Sequence, residues 1–294
     1  MVIPLVSVVI PTMGRASLRT AVESVVQQSV DAEILIVDDS PDSVVGDMAF
    51  PDVAVIPTGG GQGAGKARNM GIAAARGEFI AFLDDDDVWL PHHLANAVHE
   101  LRLHPGADIY ASRALVFRCP GVARVEPAVL AGSREIPQYL FGWSSAISRS
   151  RRILTPTIVF RQALRAVRMQ EHYPYFEDTR WLLELHALGA GSLIHSSCVG
   201  AIVYSSGERE TVRYDPEVTR EWLDHVECIY PGGSAVEIIN TDVRRAARDG
   251  DCAEWWSATV RALSRPRGWT FAPLLSAAGA AAALRAGLAI RARQ

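Results

Sequence analysis

Lysine is almost missing from this chain: of 29 basic residues among 294, all but Lys66 are arginine. Cysteine is scarce too. Cys119, Cys198, Cys228 and Cys252 lie far apart, with neither C-x-x-C spacing nor a paired framework. A disulfide scaffold is thereby excluded, and the four read as reduced core thiols of a cytoplasmic protein. No long apolar stretch is free of charge. The tail comes closest, with 16 uncharged residues at 269–284, but this stretch contains Pro273 and much alanine, which argues against a membrane span. Internal repeats and low-complexity linkers are absent, which excludes solenoids and arrays. A net charge of −4 removes any global reason to expect nucleic acid as a partner. The opening MVIPLVSVVIPTMGR has no charged leader and no small-residue cleavage site, so its apolar run is expected to be a first strand and not a signal peptide. Acids are missing after Glu254, whereas Arg261, Arg265, Arg267, Arg285, Arg291 and Arg293 follow, so the C-terminal segment is cationic.

What is present is an ordinary globular composition, 49% hydrophobic and 21% charged, in a length that suits one large domain or a domain with an appendage. Its centre is 77–91, GEFIAFLDDDDVWLP, where an apolar run meets four consecutive carboxylates. Phe79, Ile80, Ala81, Phe82 and Leu83 predict a central parallel strand buried on both faces. The acids then sit at its carboxyl end, where open α/β sheets place their ligand crevice. Adjacent like charges repel by about 1 kcal/mol per close pair even in water, so a divalent cation is the expected compensation. In extended geometry Asp84 and Asp86 point to one side and Asp85 and Asp87 to the other. An Asp-x-Asp pair of this kind suits Mg²⁺ or Mn²⁺ held together with substrate phosphate. The competing readings are a solvated acidic loop and, for Asp87, the cap of a helix starting near Val88 with Pro91 in its first turn.

Strands are predicted at 5–11, 33–39, 52–57 and from Phe79, with helices ending near 28 and at about 62–75 between them. That alternation implies a parallel sheet wound in the nucleotide-binding manner, with its polar ends on one edge. Further on, 91–103 reads as helix, 108–117 and 153–160 as strands, 161–168 as a short helix, and 192–194 and 199–204 as two strands. A helix opens at Glu177 and Asp178, its apolar side formed by Trp181, Leu182, Leu185 and Leu188. From 215 the pattern is helical, at about 217–229, 235–248, 252–263 and 271–290.

Asp38 and Asp39 end the second strand, where a carboxylate can accept the N3–H of uracil or a similar imide, or a ribose hydroxyl; Asp-Asp-Ser-Pro is equally ordinary turn chemistry. The glycine run 59–65 allows close backbone approach to a ligand and feeds a helix whose N-terminal amides suit an anion. It is not a P-loop, since Lys66 is followed by Ala67 and no Ser or Thr is placed for Mg²⁺. Lys66 and Arg68 oppose the helix dipole, a placement that a diphosphate would explain; two solvated basic residues are the alternative. Glu177 and Asp178 read either as acids favoured at a helix N-terminus or as the source of a general base. Arg149, Arg151 and Arg152 read as a solvated basic loop, the alternative being closure over a phosphate or an anionic acceptor, and His172 and His195 as structural residues.

Taken in order, VSVVIPTMGR, ILIVDDS, GQGAGKARNMGIAAARGEFIAFLDDDDVWLP and FEDTRWLLEL resemble family 2 glycosyltransferases of the GT-A fold, over roughly 6–188. The most specific part is the G-x-x-x-A-R-N-x-G-I helix followed by G-E-F-I-A-F-L-D-x-D-D. The resemblance implies an α/β fold in which a mostly parallel nucleotide-binding sheet is flanked by helices over 1–212. Within it, about 1–106 is the nucleotide-sugar half and about 107–212 the acceptor half, and 213–294 is a helical extension. It implies that Pro11, Thr12, Asp38 and Asp39 hold base and ribose, with Asp39 on the base. Arg15, Gly65, Lys66, Arg68, Asp84 and Asp85 complete the donor nucleotide site. Asp84 and Asp86 hold Mn²⁺ or Mg²⁺, Asp86 more directly, and Asp178 is the catalytic base with Glu177 beside it. The implied reaction is a metal-dependent inverting displacement from a nucleoside diphosphate sugar, UDP- or dTDP-linked, to a hydroxyl of a glycan, lipid-linked or small-molecule acceptor. A carboxylate is a weak base, so proton transfer is expected late. Two departures stand out. The family's frequent P-T-Y-N-R is Pro11-Thr12-Met13-Gly14-Arg15 here, and VYSSGERE carries no histidine for the metal site.

The cationic tail suggests a helix on the inner face of the plasma membrane, or an Ala-rich helix packed on the domain or on a second copy in a homodimer. The rival functions are a nucleotidyltransferase, which should carry a basic glycine-rich loop right after the first strand, and a noncatalytic nucleotide-sugar binding protein, which has no need of Asp178.

Overall fold

The computed structural model describes residues 3–42, 45, 50, 53–119, 122–142, 151–171, 176–204, 216–238 and 252–265. Residues 1–136 and 152–213 form one compact unit, and residues 137–151 and 214–294 form another.

In the first unit, β-branched and aliphatic residues make β1 (Val6–Thr12) and β2 (Ala32–Asp38), which pair in parallel from Val6 opposite Ala32 to Thr12 opposite Asp38. β3 (Ala54–Pro57) lies outside β2, and β4 (Phe79–Phe82) lies on the other side of β1, all parallel. Helices α1 (Leu18–Val26) and α2 (Ala64–Ala74) belong to the crossovers. Because the order β3-β2-β1-β4 reverses direction at β1, the carboxyl ends of β1 and β4 flank a topological switch point. α2 comes very close to β1 at Gly71, where a Cβ would fall 2.3 Å from Val9 Cγ1. Ser7 fixes the far end: its hydroxyl donates to Glu33 and accepts the Gly77 N–H at 2.8 Å.

Past β4 the sheet becomes mixed. β8 (Ile158–Arg161) runs antiparallel to β4 and to β6 (Ile109–Cys119). β6 pairs in parallel with β9 (Leu193–Tyr204), β9 is antiparallel to the short β5 (Val88–Trp89), and β7 (Val122–Glu126) adds to β6. The core sits on this sheet. Val6, Val8, Ile10, Phe79, Ala81 and Leu83 meet Leu18, Ala21 and Val25 of α1 and Leu94, Ala97 and Leu101 of α3 (His93–Leu103).

Several expectations are corrected. Where two strands are expected, at 192–194 and 199–204, Leu193–Tyr204 is one; the polar His195-Ser196-Ser197-Cys198 stretch hides its continuity, and the register against β6 shifts around Arg113. The expected strand 153–160 opens as a 3-10 turn, Thr155–Thr157, with Pro156 in its first turn, and 161–168 is also 3-10, Gln162–Ala166. Val88 and Trp89 are strand residues, so Asp87 caps no helix. Leu188 is exposed, because α5 (Glu177–Ala187) ends before it and buries Trp181, Leu182, Leu183 and Leu185 instead. Cys198 and Cys228 are exposed free thiols, not core residues. The tail from 266, Arg149, His172, residues 239–248 of an expected helix and 205–210 of VYSSGERE lie outside the described residues.

The second unit is helical, with most of α4 (Ile136–Phe141), α6 (Pro216–Ile229), α7 (Gly233–Ile238) and α8 (Cys252–Ser264). Phe141 meets Trp222 edge-on at 6.3 Å, and the Glu227 carboxylate joins α6 to α7 by accepting the Gly232 N–H at 2.8 Å and the Ser234 hydroxyl at 2.6 Å. Among the described residues no helix is long and apolar enough to cross a membrane.

Candidate active site

The carboxyl ends of β1, β2 and β4 bring Thr12, Asp38 and the acidic residues 84–87 to one edge of the sheet. The chain turns immediately after Leu83, with the Asp87 N–H donating to the Asp84 carbonyl at 3.1 Å, so the acids occupy a turn and not an extended strand. Their alternation survives all the same. The side chains of Asp84 and Asp86 are 30% and 40% exposed, whereas that of Asp85 is 4% exposed and Asp87 is buried.

The two buried acids anchor the turn. Asp85 accepts the Thr12 hydroxyl on one oxygen and Arg15 Nη1 at 2.8 Å on the other, and Arg15 also reaches Asp86 at 3.5 Å. Asp87 accepts the Tyr204 N–H at 3.1 Å, which ties the turn to the end of β9. Burial, with Asp84 and Asp86 adding to it, pushes Asp87 up to about 8. Burial and then Asp84 also raise Asp86, against the opposing charge of Arg15. Among the described residues no three His, Cys, Asp or Glu side chains form a ready-made metal cage. The donor set nevertheless fits a hard divalent cation. Asp84 and Asp86 are half-open, crowded carboxylates whose remaining ligands would be water and phosphate oxygen, the usual company of Mg²⁺ or Mn²⁺.

Arg68 is the hub of the site. It rises from α2, fully buried, with its guanidinium 6.0 Å from the centre of the Phe82 ring. Nη2 donates to Asp84 at 2.7 Å and Nη1 to Glu177 at 2.8 Å. Burial alone would lower its basicity, but Asp84, Glu177 and Asp178 outweigh burial and raise it, so the guanidinium stays charged. Glu177 is raised by burial, with Arg68 opposing and Asp178 adding to the shift. Asp178 accepts the Thr155 hydroxyl on Oδ2, and the N–H and hydroxyl of Thr179 on Oδ1. Just before this pair Phe176 holds φ at 65°, a left-handed conformation that costs a bulky side chain about 1–3 kcal/mol.

Asp38 is engaged by its own turn, accepting the Ser40 N–H at 3.0 Å and the Ser40 hydroxyl on Oδ1. Asp39 organises the glycine loop. Its carboxylate accepts the Gln62 and Gly63 N–H groups, each at 2.8 Å, together with the Thr58 hydroxyl, while its carbonyl takes the Gly61 N–H at 2.8 Å. Gly60 needs to be glycine: its φ is 88°, and a Cβ there would stand 2.8 Å from Pro41 Cα. The loop amides thus wrap an internal carboxylate. Among the described residues Lys66 reaches back to Gln62 Oε1 at 3.2 Å, and Gly65 lets α2 approach the Gln170 carbonyl. Pro11 sits inside β1 opposite Val37.

The structure therefore gathers Thr12, Arg15, Asp85 and Asp86 in one set of direct contacts and Arg68, Asp84 and Glu177 in another, the two joined by the acidic turn, with Asp178 next to Glu177; Asp39, just after β2, is held by the glycine loop, and Lys66 lies on the helix that follows it. His195 is buried and accepts the Ala131 N–H at 3.2 Å, its pKa lowered to about 4 by burial and by Arg113. Arg151, in the helical unit, lies over the Tyr139 ring at 5.6 Å. Sequence reasoning missed Thr155, Thr58 and Tyr204. A lone threonine or a backbone amide carries no motif, and only the tertiary fold sets it against an acid.

A nucleotide-binding sheet with an acidic turn at its carboxyl edge and an acid pair opening a nearby helix defines the class: a GT-A-like fold of the glycosyltransferases. Residues 7–172 match the model of the family described as Glycosyl transferase family 2, and the chain belongs to that family. It is 34% identical over 136 residues to a putative colanic acid biosynthesis glycosyl transferase, WcaA, of Escherichia coli K12, a match covering 43% of this chain and 48% of that protein. The chain spans about half or less of the length of the curated relatives it matches. S. aureus TarS 1-349, solved in complex with UDP-GlcNAc, shares the fold with a TM-score of 0.63 at 20% identity, over 94% of this chain and 88% of that one. A mannosyltransferase of Pyrobaculum calidifontis, in complex with GDP-Man and Mn²⁺, superposes with a TM-score of 0.50 at 18% identity, over 98% of this chain and 76% of that one.

Proposed function

We propose that the chain transfers a sugar from a nucleoside diphosphate sugar to an acceptor hydroxyl with inversion, using a UDP- or dTDP-linked donor and a divalent cation, Mn²⁺ or Mg²⁺. The observation that carries this reading is the Arg68 bridge. One buried guanidinium sets a carboxylate of the acidic turn, at the donor side, against the acid pair that opens α5. A protein that only binds nucleotide sugars has no use for that second acid pair. The nucleotide half is assigned to about 1–106, the acceptor half to about 107–212, and 213–294 to a helical extension.

Asp38 and Asp39, at and just after the end of β2, would meet base and ribose, with Pro11 and Thr12 at the end of β1 and Arg15 beyond it beside them. Asp84 and Asp86 would hold the cation; when bound, it supplies positive charge to the departing diphosphate. Asp178 takes the proton of the acceptor hydroxyl as that oxygen attacks the anomeric carbon. Glu177, paired with Arg68, keeps the neighbouring charge balanced. Gly65 leaves room for the backbone of α2, and Lys66 would turn from Gln62 to the donor phosphates, which a long cation suits. The relatives support a glycan or lipid-linked acceptor: one is ascribed to colanic acid biosynthesis, and another is described as a UDP-Glc:alpha-D-GlcNAc-diphosphoundecaprenol glucosyltransferase.

The test is release of nucleoside diphosphate from UDP-glucose, UDP-N-acetylglucosamine, dTDP-glucose and GDP-mannose with Mn²⁺ present, water serving as acceptor and the anomer read by NMR. Release from a UDP or dTDP sugar with inverted configuration is expected. Retained configuration, or no release from any donor, contradicts the proposal.

A further inference from the structure

Two carboxylates open α5, and the fold treats them differently. Glu177 is committed to Arg68 at 2.8 Å. Asp178 is turned the other way and accepts a hydroxyl from Thr155, a residue 23 positions earlier in the chain. Thr155 is itself buried, at the start of the Thr155–Thr157 turn. That turn is braced. The Thr157 N–H and hydroxyl both donate to the Leu154 carbonyl, at 2.9 and 2.7 Å, and the Pro156 carbonyl accepts Trp89 Nε1 at 2.6 Å. Trp89 follows two residues after Asp87, on the strand that leaves the acidic turn.

We propose that Thr155 is a positioning residue that holds Asp178 in its reactive orientation and, through the Pro156–Trp89 contact, sets that orientation relative to the acidic turn. The proposal rests on the reading of Asp178 as the base. A carboxylate at the mouth of a helix has free χ1 and χ2 rotation unless something fixes it, and a misplacement of about 1 Å can cost about a hundredfold in rate. The Thr179 N–H and hydroxyl fix one oxygen from within the same helix. The Thr155 hydroxyl fixes the other from a different element, so the plane of the carboxylate is defined by donors on two sides. One acceptor site on Oδ2 is then filled, which leaves the second lone pair of that oxygen to take the proton of the acceptor hydroxyl. Arg68 completes the assignment, because its hold on Glu177 keeps that neighbour from rotating into the same place.

The experiment is steady-state hydrolysis of the preferred donor by full-length protein, with Thr155→Val, Thr155→Ser and Asp178→Asn compared with the unaltered chain, alongside UDP binding by calorimetry. Valine matches the shape of threonine and removes the hydroxyl; serine keeps it. The expected result is a tenfold to hundredfold fall in kcat for T155V with donor KM and UDP affinity within twofold, recovery to within about threefold in T155S, and loss of turnover in D178N. If D178N is inactive but T155V turns over normally, Thr155 does not position the base while the base reading stands. A parallel loss of donor affinity and kcat in T155V, or a T155S no better than T155V, makes its role structural and overturns the proposal. Normal turnover by D178N removes the base reading itself, and the proposal with it.

Discussion

Arg68 and Glu177 stand 109 positions apart in the chain, yet Arg68 Nη1 lies 2.8 Å from Glu177 Oε1. The same guanidinium holds Asp84 with its other amino group, so a single cation ties the acidic turn to the acid pair. Breaking a buried pair from one side leaves uncompensated charge and typically costs about 3–5 kcal/mol. Arg68→Met is expected to lose stability of that order in urea denaturation. Arg68→Lys, which keeps the charge but not the planar fork, should fall between. A methionine variant as stable as the unaltered chain would mean that these carboxylates do not depend on Arg68.

Gly71 sets the distance between α2 and β1. A methyl group there would meet Val9 Cγ1 at 2.3 Å, so Gly71→Ala overpacks the interface and is expected to cost about 1–3 kcal/mol. Adding Val9→Ala should return part of the loss, giving a double-mutant cycle with a clear coupling energy. Strict additivity of the two changes would show that the clash is relieved elsewhere.

His93 is buried beside Trp89, ring centres 4.7 Å apart, and neither ring nitrogen has a partner among the described residues. Burial lowers its pKa from 6.5 to about 3. Between those values the unfolded chain carries one more proton than the folded one, so this group makes stability fall as pH drops below 6.5, by up to about 1.4 kcal/mol per pH unit. His93→Leu is expected to flatten the stability profile between pH 4 and 6.5 as followed by urea denaturation, with little loss near pH 7 (about 1 kcal/mol or less), since apolar replacement of an unpartnered polar group is close to neutral. An unchanged slope would assign the acid sensitivity to other groups.

Much of this was legible in the residues. Uninterrupted apolar runs ending in acids, at Asp38 and at Asp84, carry both the strand assignment and the edge on which the site lies, because a parallel strand buried on both faces leaves no alternation to misread. The alternate exposure of 84–87 was also readable, although its cause, a strand period, gave way to a turn. What could not be read were relations between distant residues. The polar middle of β9 looks like a break, and it is the pairing with β6 on either side of it, at Leu193–His195 and from Val199 on, that carries the strand across. Thr155 has no local signature, and its value comes from Asp178 lying opposite. The glycine run reads as a place where backbone approaches a ligand; in this structure its amides hold the carboxylate of Asp39, a relation set by the parallel pairing of β2 and β3.

If Asp84 and Asp86 hold a cation that the donor diphosphate shares, as proposed, calorimetry of UDP, dTDP and GDP with Mn²⁺, then with EDTA, then on Asp86→Ala, will register it. Binding of UDP or dTDP that is lost with EDTA and in the variant is the expected result, with a loss of about tenfold or more in affinity for removal of a metal-binding carboxylate. Binding indifferent to both metal and Asp86, or no binding of any of the three, would contradict the account.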